Sequence, residues 1–348
     1  MYSSQIKPNR THRRPTARDV AKLAQVSPTT VSLVMGNKGH LVGISAQTTQ
    51  RVLEAAKQLA YTPSALMSAI LSGRTNIIGV FANDADWRPN NAYWSAVIMW
   101  LHRAATQRHQ EILLFNDDAS RSAEEKEARM RSGIVDGILI QPGQNPESIQ
   151  KLAKNFPVVC IGDPVAGVKS VSVENERSIA TLVDKLVSVG RRRIGHLTLR
   201  TEIHAKVSRS KSFLASLGAH GFAPNPDSIL SLDTFEHLDQ HPGVIDFLRR
   251  CDAVICFNDD VAFRVLELCH LRGIRVPEDL AVTGFDGLPG FGMLPGHSVL
   301  AELTTIRSPL ERMCNTAMDR VVRLAGGEDV ENLIEMSGDY FQGNTTPA

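Results

Sequence analysis

Two periodicities divide the chain. Up to Tyr61 the apolar residues recur three and four apart, as Val20, Leu23 and Ala24, then Val26, Val31 and Val34, then Val52, Ala55, Ala56 and Leu59. That spacing gives each set one side of a helix. From Ile77 onward short unbroken apolar runs take over: IIGVFA, EILLFN, GILIQP, PVVCIGD and SVSVEN, then RIGHLTL, SILSLD, AVICFND and LAVTGFD. Helical stretches separate them, such as Trp94 to Ala105 and those through Phe213 and Leu217 and through Leu266 and Leu268. Buried runs alternating with helices predict parallel sheets covered on both faces. The runs fall into two series of about five strands, which suggests two Rossmann-like lobes with a ligand cleft between them.

The early helices carry strong start signals. Thr16 and Asp19 have the spacing of a capping box. In QVSPTTVSLVMGNKGH, from Gln25 to His40, Ser27 fits the N-cap and Pro28 the first helical position, with Gly36 and Gly39 as terminators. Ser45 can cap a third, longer helix that Tyr61-Thr62-Pro63 stops, because the residue before proline disfavours helix. Two short helices joined by a tight turn, then a third, predict a helix-turn-helix domain. Such a domain lays its second helix in the major groove, amino-terminal residues toward the bases. The short hydroxyls at the front of the Ser27 helix suit phosphate oxygens and base edges.

Charge sharpens this division. The 348 residues carry a net charge of only +1, with 43% hydrophobic and 22% charged residues. Residues 1–75, however, hold ten Lys/Arg against Asp19 and Glu54, a net +8, and the remainder is −7. A small basic module joined to a larger acidic one predicts a polyanionic partner for the first alone. Cysteines 160, 251, 256, 269 and 314 lie mostly in apolar runs without CxxC spacing, so they predict reduced core thiols and no metal site. No apolar run has the length of a membrane span. MYSSQIKPNRTHRRP is basic and polar with no apolar stretch after it, which argues against a signal peptide and for a cytoplasmic location.

Three motifs together are more specific than any alone: D-V-A in the first helix, V-S-x-x-T-V-S in the second and Y-x-P beyond the third. TARDVAKLAQVSPTTVSLVMG and ISAQTTQRVLEAAKQLAYTPSA resemble the DNA-binding headpiece of the lac-repressor (LacI/GalR) family of bacterial transcription regulators. VDGILI, PVVCIGDP, VSVEN, LVSVGRRRIGHL, CDAVICFNDDVAF, GIRVPEDLAVTGFD and LTTIRSPLERM extend the resemblance over nearly the whole chain. It implies an all-α helix-turn-helix headpiece followed by a two-lobed, periplasmic-binding-protein-like α/β domain with parallel sheets. It places Pro28, Thr29 and Leu33 at base-reading positions, and Thr16, Ser27, Thr30 and Ser32 where hydroxyls meet phosphates. His40, in a loop longer than in the shortest members, is a further phosphate candidate. Met67 and Ile70 fall where a hinge helix wedges apolar side chains into the minor groove. Leu33 departs from the family's frequent arginine, which grips guanine bidentately, and so implies a different half-site.

The expected organisation is a basic tail at 1–13, a helix-turn-helix domain at 14–63, a hinge at 64–75, a sensor at 76–340 and a tail at 341–348. Lobe 1 would take about 76–175 and 306–331, and lobe 2 about 176–305 and 332–340, with crossings near Asn175, Thr305 and Asn332. Ligands in such sheets sit beyond the carboxyl ends of the strands, which nominates Asn83, Asp84, Asp163, Asn258, Asp259 and Asp286. Arg209, expected at the start of a helix facing the cleft, matches the family's effector-contacting arginine. Tyr93, Trp94 and Phe235 can supply flat apolar surfaces. Carboxylates and an arginine grip hydroxyls well, so a carbohydrate-type effector is expected. Ser212 stands where the family has glycine. The helix through Leu310, Met313, Ala317 and Val321 is either a dimer interface or core.

The implied partners are double-stranded operator DNA, a small-molecule effector and a second copy in a homodimer, with a tetramer left open. No cofactor, metal, membrane or enzymatic activity is expected. A transport-linked sugar-binding protein shares the two-lobed fold but has no use for a basic headpiece. A Rossmann-type enzyme is disfavoured by the lack of G-x-G-x-x-G after the first strand, of a P-loop and of a nucleophile–base pair.

Overall fold

The computed structural model describes residues 15–63, 69, 72–82, 91–116, 120–143, 146–223, 225–241, 243–288 and 302–348. Two compact units result, Met1–Asn76 and Ile77–Ala348.

In the first unit α1 (Ala17–Ala24), α2 (Pro28–Met35) and α3 (Ala46–Gln58) pack around Val20, Ala21, Ala24, Val31, Val34, Val52, Ala55 and Ala56. Each helix begins on a hydroxyl cap. At α1 the box is reciprocal: the Asp19 amide donates to Thr16 Oγ1 (3.3 Å), and the Thr16 amide donates to Asp19 Oδ2 (2.8 Å). Gln25, at φ 54°, turns the chain sharply out of α1 toward α2. One expectation fails. Leu23 is 44% exposed and Ala21 takes its place in the core. Val20, Ala21 and Ala24 lie within about 100° of one another around the helix, and Leu23 falls about 60° outside that arc, on its Val20 flank.

In the second unit β1 (Ile77–Phe81), β2 (Glu111–Phe115), β3 (Gly137–Ile140), β4 (Val158–Gly162) and β5 (Lys169–Val173) form the first lobe's parallel sheet. The second lobe's parallel sheet has β6 (Ile194–Leu199), β7 (Ile229–Leu232), β8 (Ala253–Cys256) and β9 (Ala281–Thr283), in the order β7-β6-β8-β9. A short antiparallel pair, β10 (Thr305–Arg307) and β12 (Asp339–Phe341), marks the return crossings. The sheets are unequal because β11 (Leu333–Met336) pairs with β5, making the first six-stranded, in the order β11-β5-β4-β3-β1-β2.

That pairing moves a boundary. Residues 332–336, expected in the second lobe, lie in the first, and the chain crosses at Ser337-Gly338 rather than near Asn332. Only glycine fits there, since a Cβ on Gly338 would come within 2.5 Å of Ile306 Cγ2. The expected tail at 341–348 is also held: Thr345 is buried, its carbonyl accepts from the Val282 amide (2.9 Å) and its hydroxyl donates to Val282 O (2.7 Å). Leu310, Met313, Ala317 and Val321 on the helix Leu310–Ala325 are buried in the core, not displayed for a partner. The five cysteines are free, and among the described residues no His/Cys/Asp/Glu group has the arrangement to hold a metal ion. No helix of the described residues is long and apolar enough to cross a membrane.

Candidate functional site

Packing sorts the residues of α2. Val31 and Val34 turn into the core, while Ser27, Pro28, Thr29 and Ser32 are exposed and Thr30 and Leu33 half-buried. The Ser27 hydroxyl accepts from the Thr30 amide (3.0 Å) and lies 2.9 Å from the Thr30 hydroxyl. Ser32 donates back to the Pro28 carbonyl (3.1 Å). These short bonds hold the polar groups on one rigid, outward face. No acidic residue occupies the first turn of α2, so its positive end is unopposed. Thr16 is half-buried within its box, and His40 is exposed in the 3-10 turn Gly39–Val42. Arg18, Lys22, Lys38, Arg51 and Lys57 are all exposed around the unit. Met67, Ile70, Asn83 and Asp84 lie outside the described residues.

The cleft of the second unit is built on strand ends. Asp163 follows β4, Asn175 follows β5, Asp259 follows β8 and Asp286 follows β9. Arg209 comes from the second turn of the helix His204–Ala219, not its start. It is 6% exposed. Its Nε donates to Asn175 Oδ1 (2.8 Å) and its Nη1 to the Phe257 carbonyl (2.6 Å). The guanidinium carbon stands 3.6 Å over the Phe285 ring and 5.0 Å over Phe257. Burial lowers the pKa of Arg209, and Asp286, Asp163, Tyr93 and Asp259 oppose that shift. One buried cation thus anchors a ring of acids.

The acids differ in what they have left to offer. Asp163 accepts from the Ala205 amide (2.8 Å), so a first-lobe carboxylate caps a second-lobe helix; burial raises its pKa. Asp259 is spent on structure, accepting from Thr305 Oγ1 (2.6 Å) and the Leu288 amide (2.9 Å). A Cβ at Gly284 would collide with it at 2.2 Å. Burial pushes Asp259 up to about 6 despite these bonds. The Asp286 carboxyl accepts no hydrogen bond from the described residues, and burial pushes it up to about 8, Arg209 lowering and Asp259 raising it. Its backbone sits at φ 112°, a strained value for a residue with a Cβ. Tyr93 joins the group, its phenol raised well above its ordinary value by burial, then by Asp286.

Of the nominated residues, then, Tyr93, Asp163, Arg209, Asp259 and Asp286 converge. Trp94 does not: it is 2% exposed and packs in the core of the first lobe. Phe235 lies one ring away, stacked on Phe257 at 6.4 Å. Ser212 ties its helix to the Glu176 carbonyl (2.7 Å). Asn175 was noted only as a crossing, yet it is 2% exposed, and its Nδ2 has no hydrogen-bond partner among the described residues. The strand-end rule that nominated Asp163 applies to it equally.

The buried acid gives a pH signature. Asp286 keeps its proton up to about pH 8 when folded, against 3.8 ordinarily. The folded state therefore binds more protons than the unfolded one across that interval, and this contribution to stability is lost as pH rises through the folded value. The stability of wild type relative to Asp286→Asn should fall between about pH 4 and pH 8 and level off above that, as read by parallel thermal melts. A flat difference would place the Asp286 carboxyl in water.

Comparison with known proteins follows the same division. Residues 16–64 match the model of the bacterial regulatory proteins of the lacI family, and residues 183–346 match a periplasmic binding protein-like domain. The chain is 27% identical over 315 residues to the HTH-type transcriptional regulator DegA of Bacillus subtilis (strain 168), covering 86% of this chain and 88% of that one. It is 28% identical over 345 residues to the HTH-type transcriptional repressor PurR of Vibrio cholerae serotype O1 (strain M66-2), covering 95% and 97%. Its fold is similar to the lac repressor dimer bound to operator and the anti-inducer ONPF (TM-score 0.81, 20% identity, 97% and 100% covered). It is also similar to a transcriptional regulator CelR–cellobiose complex (TM-score 0.66, 22% identity, 95% and 100% covered).

Proposed function

The chain belongs to the lacI family of bacterial regulatory proteins, and from that premise we propose that it is a repressor whose hold on operator DNA is set by a small polyhydroxylated effector. One observation carries the reading. A basic unit with an outward, hydroxyl-rich helix is continuous with a unit whose buried Arg209, Asn175, Asp163 and Asp286 line a cleft between strand ends. The first has the chemistry to bind DNA; the second has the chemistry to bind hydroxyls. Neither set includes a nucleophile beside a base, so the chain acts by binding. An effector can shift the DNA affinity only through different affinities for two states, of the order of 1–3 kcal/mol.

Within the first unit, Pro28, Thr29 and Leu33 read bases, and Ser27, Thr30, Ser32, Thr16 and His40 contact phosphates. Leu33 decides the half-site because an aliphatic side chain offers only apolar contact, for example to a thymine methyl. Selecting bound duplexes from a random pool tests this. Leu33→Arg should bring a guanine into each half-site with about 1–3 kcal/mol of discrimination. The same selected sequence from both proteins would remove Leu33 from the groove.

A two-fold symmetric operator calls for a dimer. The helix Leu310–Ala325 has its apolar face in the core, whereas Met99, 52% exposed on the helix Ala92–Gln107, and Leu114, exposed on the edge strand β2, are free to meet a second copy. Met99→Asp and Leu114→Asp should each shift sedimentation toward monomer, while an unchanged distribution would move the interface elsewhere.

A further inference from the structure

We propose that the first lobe holds a second binding site, for a small oxyanion, at the end of its sheet away from the effector cleft. The site is a cavity of about 640 Å³ at the amino ends of β5 and β11, lined among others by Lys169, Thr316, Arg320, Arg323, Asp329 and Asn332. It is independent of the DNA-binding unit and of every residue assigned to the effector.

Three carboxylates, Asp319, Asp329 and Glu331, face the three cations of this cavity, but they are not equally engaged. Lys169 Nζ donates to Asp329 Oδ1 (2.7 Å), Val330 O (2.5 Å) and Asn332 Oδ1 (3.0 Å). Arg323 pairs with Glu328 (2.8 Å) and Asp319 (3.7 Å). Arg320 has neither kind of arrangement. It is 2% exposed, its Nη1 donates to the Ser170 carbonyl (3.2 Å), and its Nε and Nη2 have no partner among the described residues. Glu331 opposes the burial of this charge through space, but the carbonyl is the one hydrogen-bond acceptor that Arg320 has among the described residues. Buried donors left unpaired are costly, and a buried charge is costlier still.

An oxyanion supplies the missing acceptors and brings its charge into direct contact. The guanidinium edge formed by Nε and one Nη is a planar fork that matches two oxygens of a carboxylate or phosphate. Thr316 lies one turn before Arg320 on the same helical face, so its hydroxyl can complete the shell. The helix Leu310–Ala325 that carries both residues begins just after β10, where the Thr305 hydroxyl holds Asp259 (2.6 Å). Occupancy of the far cavity and the posture of the cleft are thus joined by one rigid element.

Calorimetry on the full chain with inorganic phosphate, sulfate and succinate, against sodium chloride at equal ionic strength, tests the site. Saturable one-to-one binding of at least one oxyanion is expected, with a matching rise in melting temperature. Phosphate binding more tightly would mark a phosphorylated ligand, and succinate a carboxylic acid; either supports the site. Arg320→Met should weaken binding at least about tenfold while leaving duplex binding in anion-free buffer unchanged. If that variant does not fold, Asn332→Asp, which keeps the acceptor for Lys169 and adds a negative charge at the rim, should weaken the anion by several-fold. Equal responses to all salts, or equal affinity in wild type and both variants, would overturn the proposal. Loss of duplex binding in Arg320→Met with anion affinity intact would overturn it too.

Discussion

Arg209→Ala is expected to weaken effector binding at least about 100-fold while duplex binding stays within about twofold of wild type, leaving a repressor that no longer responds. The size follows from what the guanidinium does. It spans Asn175 and the Phe257 carbonyl, lies on the Phe285 ring and sets the charge seen by Asp163, Asp286 and Tyr93. Charge-assisted hydrogen bonds contribute about 1.5–3 kcal/mol each, and losing two reaches that factor. Removal also leaves Asp163 and Asp286 without the cation that lowers their pKa values. Arg209→Lys keeps the charge but not the fork, so only part of the affinity should return. Effector titrations of the duplex complex read both variants, and an unchanged response would take Arg209 out of the site.

Val31→Asp is expected to abolish duplex binding while leaving the second unit folded and able to bind effector. Val31 is fully buried among Val20, Val34 and Val52 at the centre of a small aliphatic core. An unpaired carboxylate there costs several kcal/mol, about as much as a domain of this size has to lose. The second unit has its own core around both sheets. Two melting transitions in wild type and only the sensor's in the variant would show the separation. A single shared transition, lowered as a whole, would mean that the units fold as one.

The difference between legible and illegible features lies in how far away their partners are. The caps at Thr16, Ser27 and Ser45 bond within three residues, so sequence alone shows them. The sheets announce themselves as apolar runs between helices. Leu23 was misplaced because three-residue spacing names a stripe without saying which neighbours share it. β11 was placed in the wrong lobe because four residues at a sheet edge, half of them exposed, carry little pattern, and only the return of the chain to β5 assigns them. Strand-end carboxylates were readable from topology. Asn175 lies just past the end of a strand and was open to the same rule, whereas the Phe257–Phe285 platform was not readable, since it depends on where one helix lays Arg209. Trp94 sits next to Tyr93, yet the helix turns one toward the core and the other toward the acids. Arg320 reads as a surface cation until β5 is packed beneath it.

The most direct measurement is the affinity of the full chain for a labelled duplex as a function of salt, with and without candidate polyols. A linear fall of log affinity with log salt is expected, amounting to about a thousandfold or more between roughly 50 and 200 mM, with a further change when the right polyol is added. Protein that ignores duplexes of every sequence at low ionic strength, with polyol present or absent, would contradict the account.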